Sequence, residues 1–446
     1  MRKVLTQFSA FIFLSVIGLL LCFLSACSQR GPLNPQYPVT VTMWHTYVED
    51  MQTALDELVS EFNGTVGAEQ GVVVEVTSVT DAKNINEHLV AAASNDPGAP
   101  ELPDMAVVYP QVAVTLAEKG ALADLRQYFP AEELASYVPQ FVEEGCLGGD
   151  ALYLLPVAKS TEVLYVNRTL FDRFTAATGV GIEKLATFEG IAEAASRYAE
   201  WSGGKAFFYP EGLFHQAMIG CEQLGGELVK NGELDIANPL FKRIWDCYYP
   251  SAVKGGTAIY DGWGNYLAAT GDVVCATAST AGSAFYPARI TYPDNTKEDA
   301  EFDVLPYPVF EGGDKVAVQR GGGICVTKSD TARETAACLF LRWFTETERN
   351  LAFCAGIGYL PVQQTAFDAI LAGEYPEITN PISEQALLTS AAMQKEYRFF
   401  FPPVFNGLDG LQKHYEDTLR AAAREGRDSA PGSISALEDF IHAIRS

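Results

Sequence analysis

The chain has 446 residues, 48% of them hydrophobic and 20% charged, and carries a formal net charge of −25. That length exceeds one ordinary core and suits two lobes, while a mean hydropathy of +0.04 excludes a disordered chain. The acidity excludes nucleic acid as a partner, since binding it needs clustered Lys and Arg against phosphate, and it argues against contact with anionic lipid headgroups.

Arg2 and Lys3 head the chain, an apolar run spans Phe11 to Phe23, and Leu24-Ser25-Ala26-Cys27 ends it with small residues before a cysteine. This is the three-part order of a secretory signal. Its end resembles the bacterial lipobox, in which the cysteine takes a diacylglyceryl thioether and becomes the new N-terminus. Residues 1–26 are then the signal and Cys27 the lipidation site. An uncleaved signal anchor is the alternative, because Phe8 to Ala26 is nearly long enough to span a bilayer. Either way the rest of the chain works outside the cytoplasmic membrane. Residues 27–37 are polar with Pro and Gly and read as a tether.

Beyond the tether, Val39 to Met43 predicts a strand, and apolar Val48, Met51, Leu55, Leu58 and Phe62 mark one buried face of a following helix. Val72 to Val76 and Met105 to Val108 predict further strands, with a helix over Ile85 to Ala93 between them. Helical periodicity continues at Leu170 to Phe174, Ile191 to Tyr198 and Leu240 to Tyr248. Strands return at Val273 to Ala276, Phe302 to Leu305 and Ile324 to Thr327, before a helix over Thr331 to Phe344. Alternating strands and helices predict an α/β fold.

Seven cysteines follow Cys27 at wide spacing without a C-x-x-C, so they read as buried apolar thiols, not as a disulfide framework or zinc site. The five histidines are isolated, and no hydrolase elbow, phosphate loop, dinucleotide loop or calcium loop is present. No metal, cofactor or catalytic set is expected. Chance pairs among 56 carboxylates leave a two-carboxylate glycosidase open.

Pro156 to Asn167 (PVAKSTEVLYVN) resembles a segment of the extracellular solute-binding proteins of family 1, which feed sugar-type ABC importers. Further matches follow in order: Thr42 to His45 with a helix ending Glu61-Phe62-Asn63, Pro103-Asp104 with Gly120 to Leu125, Gly271 to Gly282, Gly321 to Gly323, and Gly358 to Pro361. Glycerol-phosphate-binding components share several of these. The resemblance implies a two-lobed, type II periplasmic-binding-protein-like fold with ligand in the cleft between lobes. It divides the chain into residues 38–160 plus 321–358 for one lobe and 161–320 plus 359–446 for the other. It also implies an ABC permease as partner, a carbohydrate or polyol as ligand, and no cofactor.

Trp44 and His45 follow a strand end, where α/β clefts lie; a tryptophan stacks on sugar C–H groups, and core packing is the alternative for Trp44. The resemblance carries Ser160 to a ligand-binding serine, with hinge capping as the alternative. It adds Ser279, Thr280, Gly322 and Tyr359 as ligand residues. Tyr209, Glu211, Phe214 and Trp263 lie where relatives place aromatics over the ligand, but packing is the preferred reading for those four. The segment Pro402 to Gly407 matches the place of a phosphate-binding arginine in the glycerol-phosphate binders and contains no basic residue. Neutral saccharides are therefore expected to bind better than glycerol phosphate, with Arg320, Lys159 and Arg398 as the cations that could substitute.

Overall fold

A computed structural model describes residues 31–445 apart from 80, 406 and 429–435. The signal and Cys27 lie outside the described residues. Among the described residues no helix is long and apolar enough to cross a membrane.

Two sheets organise the molecule. The first has the strand order Gly323–Val326, Met105–Val108, Val39–His45, Val72–Ser78, with the last three parallel and the first antiparallel to its neighbour. The second runs Arg398–Phe400, Val316–Arg320, Ser160–Asn167, Cys275–Ser279, Phe208–Pro210, and Phe302–Leu305 also pairs with Ser160–Asn167. All eight residues of Ser160–Asn167 are buried, which marks it as the central strand of its lobe. Its side chains can be apolar on both faces because helices and neighbouring strands cover it.

The strands and helices predicted from periodicity are present, with boundaries that shift for identifiable reasons. Val48 is 56% exposed because the helix Glu49–Gly64 begins after it and buries Leu55, Val59 and Phe62 instead. The strand predicted at Val273 to Ala276 runs over Cys275–Ser279. The apolar run marks buried residues there, but the hydrogen-bonded ladder continues through the polar Thr277 and Ser279.

The Pro103-Asp104 motif has a structural use. Asp104 is 2% exposed; it accepts from the Thr42 backbone N–H at 2.8 Å and takes two hydrogen bonds from Arg333 at 2.6 and 2.7 Å. One carboxylate thus clamps the helix Thr331–Phe344 to the strand Val39–His45, and the bidentate geometry fixes its direction. Six of the seven described cysteines are buried, all seven are unpaired, and burial pushes the thiol pKa of Cys275 well up.

The chain passes between the two sheets in short segments. Leu155 bridges Ile324 of the first sheet, and five residues later Ser160 opens the central strand of the second. On the return, Val316–Arg320 belongs to the second sheet and Gly323–Val326 to the first, leaving Gly321 and Gly322 as the crossing. Gly321 has φ +94°, and a Cβ on Gly322 would sit 2.4 Å from the Val108 carbonyl oxygen, so neither position admits a side chain. A third segment meets the first where Lys159 and Leu360 exchange backbone hydrogen bonds of 3.0 and 2.6 Å.

Lys159 joins all three. Its fully buried ammonium pairs with Glu144 and donates to the Gly321 carbonyl at 2.8 Å.

Candidate ligand cleft

Where the segments cross, a cavity of about 600 Å³ opens between the sheets. It shares Tyr109, Ala281, Phe285, Gly321 and Tyr359 with a second cavity of about 390 Å³ toward the first lobe. Each is of a size that holds a small organic solute.

The second lobe builds its wall from the ends of its strands. Ser160 and Glu162 project from the same face of the central strand, two residues apart. Glu162 is 1% exposed and is met by His215 Nδ1 at 3.1 Å and an Arg320 guanidinium nitrogen at 3.2 Å. Burial alone would raise its pKa, but the hydrogen bond and charge of His215, with the charge of Arg320, hold the carboxyl below its ordinary value. Arg320 itself faces the cavity, in register with Ser160 across the sheet.

Trp263 is held at the rim by two neighbours. The Tyr209 hydroxyl donates to the Gly262 carbonyl at 2.7 Å, and the Gly264 N–H donates to Glu211 at 2.8 Å. The tryptophan between these anchored glycines is 58% exposed and lines the cavity. Burial raises the Glu211 pKa, opposed by the Gly264 N–H and by nearby Arg320. Tyr286 also lines the cavity, stacked on Tyr165 at 4.0 Å between ring centroids. Its buried hydroxyl and the Gln319 amide oxygen have no hydrogen-bond partner among the described residues. Both are buried polar atoms behind the cavity wall whose bonding capacity the described residues leave unused.

The residues singled out from sequence separate into three groups. Ser160, Ser279 and Tyr359 line the larger cavity, and Gly322 and Tyr359 line the smaller one. Ser279 also caps the following short helix, accepting from the Ala281 N–H at 3.3 Å. Thr280 is buried behind the wall, where its hydroxyl is 3.4 Å from the Thr161 N–H.

His45 and Trp44 are elsewhere. His45 is 1% exposed, accepts at Nδ1 from the Tyr47 N–H at 3.2 Å, and has its pKa lowered by burial. Trp44 packs edge-on to His88 at 6.3 Å, beside a separate surface depression with Thr77 and Val79. Of the four residues read as packing, Tyr209 and Phe214 are core, whereas Glu211 and Trp263 line the cleft.

The sequence reading missed Tyr109, Tyr266 and Phe285. With Trp263 they make four of the six strongly exposed aromatic residues among those described, and all four line the larger cavity. Exposed aromatics gathered in one concavity mark a binding surface.

Two α/β sheets joined by crossing segments around a cleft define a two-lobed solute-binding architecture. A profile of bacterial extracellular solute-binding proteins matches residues 57–380, and the chain belongs to that family. Its members work outside the cytoplasmic membrane, where they bind small molecules and serve ABC permeases. Solved structures agree on the fold. The cyclic α-maltosyl-1,6-maltose binding protein of Arthrobacter globiformis is 19% identical, with a TM-score of 0.72 over 91% of this chain and 98% of that one. UgpB of Mycobacterium tuberculosis, solved with glycerophosphocholine, is 17% identical with a TM-score of 0.69 over 91% and 97%. The sugar-binding MalE of Xanthomonas citri is 15% identical with a TM-score of 0.68 over 91% and 96%. No curated protein sequence matches significantly.

Proposed function

We propose that this chain is the solute-capturing lipoprotein of an ABC importer, anchored through Cys27, and that its ligand is a carbohydrate. The observation that carries the reading is the gathering of Tyr109, Trp263, Tyr266 and Phe285 in one cleft beside hydroxyl-matching polar groups. Aromatic faces cover sugar C–H surfaces, and Ser160, Gln319 and Tyr286 suit hydroxyls. The similarity to a cyclic α-maltosyl-1,6-maltose binding protein and to a sugar-binding protein supports the same class. In this reading residues 38–160 with 321–358 form one lobe, 161–320 with 359–446 form the other, and the cleft binds without catalysis.

The similarity to UgpB raises a glycerol-phosphate ligand as the second reading. The cations offered for a phosphate weigh against it. Lys159 is buried against Glu144, Arg398 pairs with Glu222 at 2.8 Å, and Arg320 is already held by Glu162. Pro402 and Val404 reach the cavity and bring no charge.

A thermal-shift screen followed by calorimetry tests the proposal. Di- to tetrasaccharides should raise the melting temperature and be recovered intact, while glycerol phosphate should not stabilise the protein. Tight binding of glycerol phosphate with no response to saccharides would reverse the assignment, and release of new reducing ends would make the chain an enzyme.

A further inference from the structure

The charged groups at the cleft are paired, with one exception. Glu144 is satisfied by Lys159. Glu162 takes both His215 and Arg320. Glu211 accepts a backbone N–H from Gly264 and makes no ion pair among the described residues. It lines the larger cavity beside Trp263, Tyr266 and Tyr286. The nearby cation, Arg320, is ion-paired with Glu162, so Glu211 is drawn out of water with only a shared counter-charge, and a ligand that brings its own relieves that cost.

Three independent features favour the same ligand chemistry. Glu211 is an unpaired acceptor facing the cavity. The exposed rings of Trp263 and Tyr266 line the same cavity, Trp263 one residue before the Gly264 that donates to Glu211, and aromatic faces attract cations. The chain's net charge of −25 draws cations toward the protein and repels anions. Burial that pushes the Glu211 pKa upward is consistent with a carboxyl lacking its partner.

We infer that the solute carries a positively charged nitrogen, as in an amine-bearing saccharide, and that Glu211 with the face of Trp263 receives it. This rests on the carbohydrate reading above and narrows it to cationic members of that class. Glu211 then acts as the specificity-determining residue: its carboxylate accepts from the ammonium while the Gly264 N–H holds it in place.

The test uses matched saccharides of equal length in α-1,4 and β-1,4 series, in which one hydroxyl is kept, replaced by a free amine, or replaced by an N-acetyl group. Calorimetry on the wild-type protein should show the free amine binding at least tenfold more tightly than its neutral and N-acetylated counterparts. E211Q, which keeps an oxygen acceptor for Gly264, should bring the three within about twofold. The ligand-side comparison stands even if E211Q fails to fold, because acetylation removes the charge without touching the protein. Neutral saccharides binding as well as the amines, or an amine preference that survives E211Q, would overturn the inference and leave the carbohydrate reading intact. Failure of every saccharide, charged or neutral, would remove both.

Discussion

The two walls of the cleft differ in chemistry. The smaller cavity, toward the first lobe, is lined by Tyr47, Met51, Ile85, Tyr109 and backbone at Gly322, without a charged side chain among the described residues. The larger cavity adds Glu144, Glu211, His215 and Arg320, nearly all from the second lobe. Charged and paired groups are pre-set by neighbouring strands before any ligand arrives, so they read the ligand's polar pattern. An uncharged wall of aromatic, aliphatic and backbone groups can cover many solutes at little desolvation cost. In the proposed reading, selectivity resides in the second lobe, while the first contributes mainly area.

The largest way to disturb that arrangement is at the joint between the walls. Lys159→Met would leave Glu144 buried without a partner and free the Gly321 carbonyl. It is expected to cost about 3–5 kcal/mol of stability in chemical denaturation, because one half of a buried pair is removed. A loss under about 1 kcal/mol would show that water enters the joint and solvates Glu144.

Next in size is the charged wall. Trp263→Ala should weaken saccharide binding by about 2 kcal/mol, roughly thirtyfold, with little effect on the melting temperature of the free protein. The exposed Trp201, which lies outside the cleft, is the control for tryptophan content. Equal effects from both substitutions would end the argument from gathered aromatics.

Ser160→Ala should cost about 1 kcal/mol of binding if its hydroxyl meets the ligand. The smallest expected effect belongs to Trp44→Ala, whose ring packs against His88 away from both cavities. Calorimetry should find its affinity within twofold of wild type, and a larger loss would mean the depression at Trp44 takes part in binding.

Much of the fold was legible because it follows from local periodicity and ordered motifs. Met105–Val108, Phe302–Leu305 and Thr331–Phe344 lie where the apolar pattern predicts them. The glycine positions Gly321 and Gly322 lie where the chain passes from one sheet to the other.

The site was less legible. In Val39–His45 the buried residues alternate as Val41, Met43 and His45, so Trp44 falls on the opposite face by one residue of parity. A residue beside a strand end is not thereby aimed at the cleft. Tyr109, Trp263, Tyr266 and Phe285 come from separate segments, and only the three-dimensional fold brings them together. The run Gly262-Trp263-Gly264 was the available signal, since glycines on both sides free a tryptophan from packing and let backbone hydrogen bonds hold it out.

The placement of Gly323–Val326 has a consequence for the order in which the chain takes shape. It completes the first sheet beside Met105–Val108, yet it arrives in sequence only after the central strand Ser160–Asn167 and most strands of the second sheet. A polypeptide emerging from the N-terminus therefore exposes an unfinished sheet edge until about residue 326 is available, and such long-range pairing forms late. Until then the first lobe lacks one of its four strands.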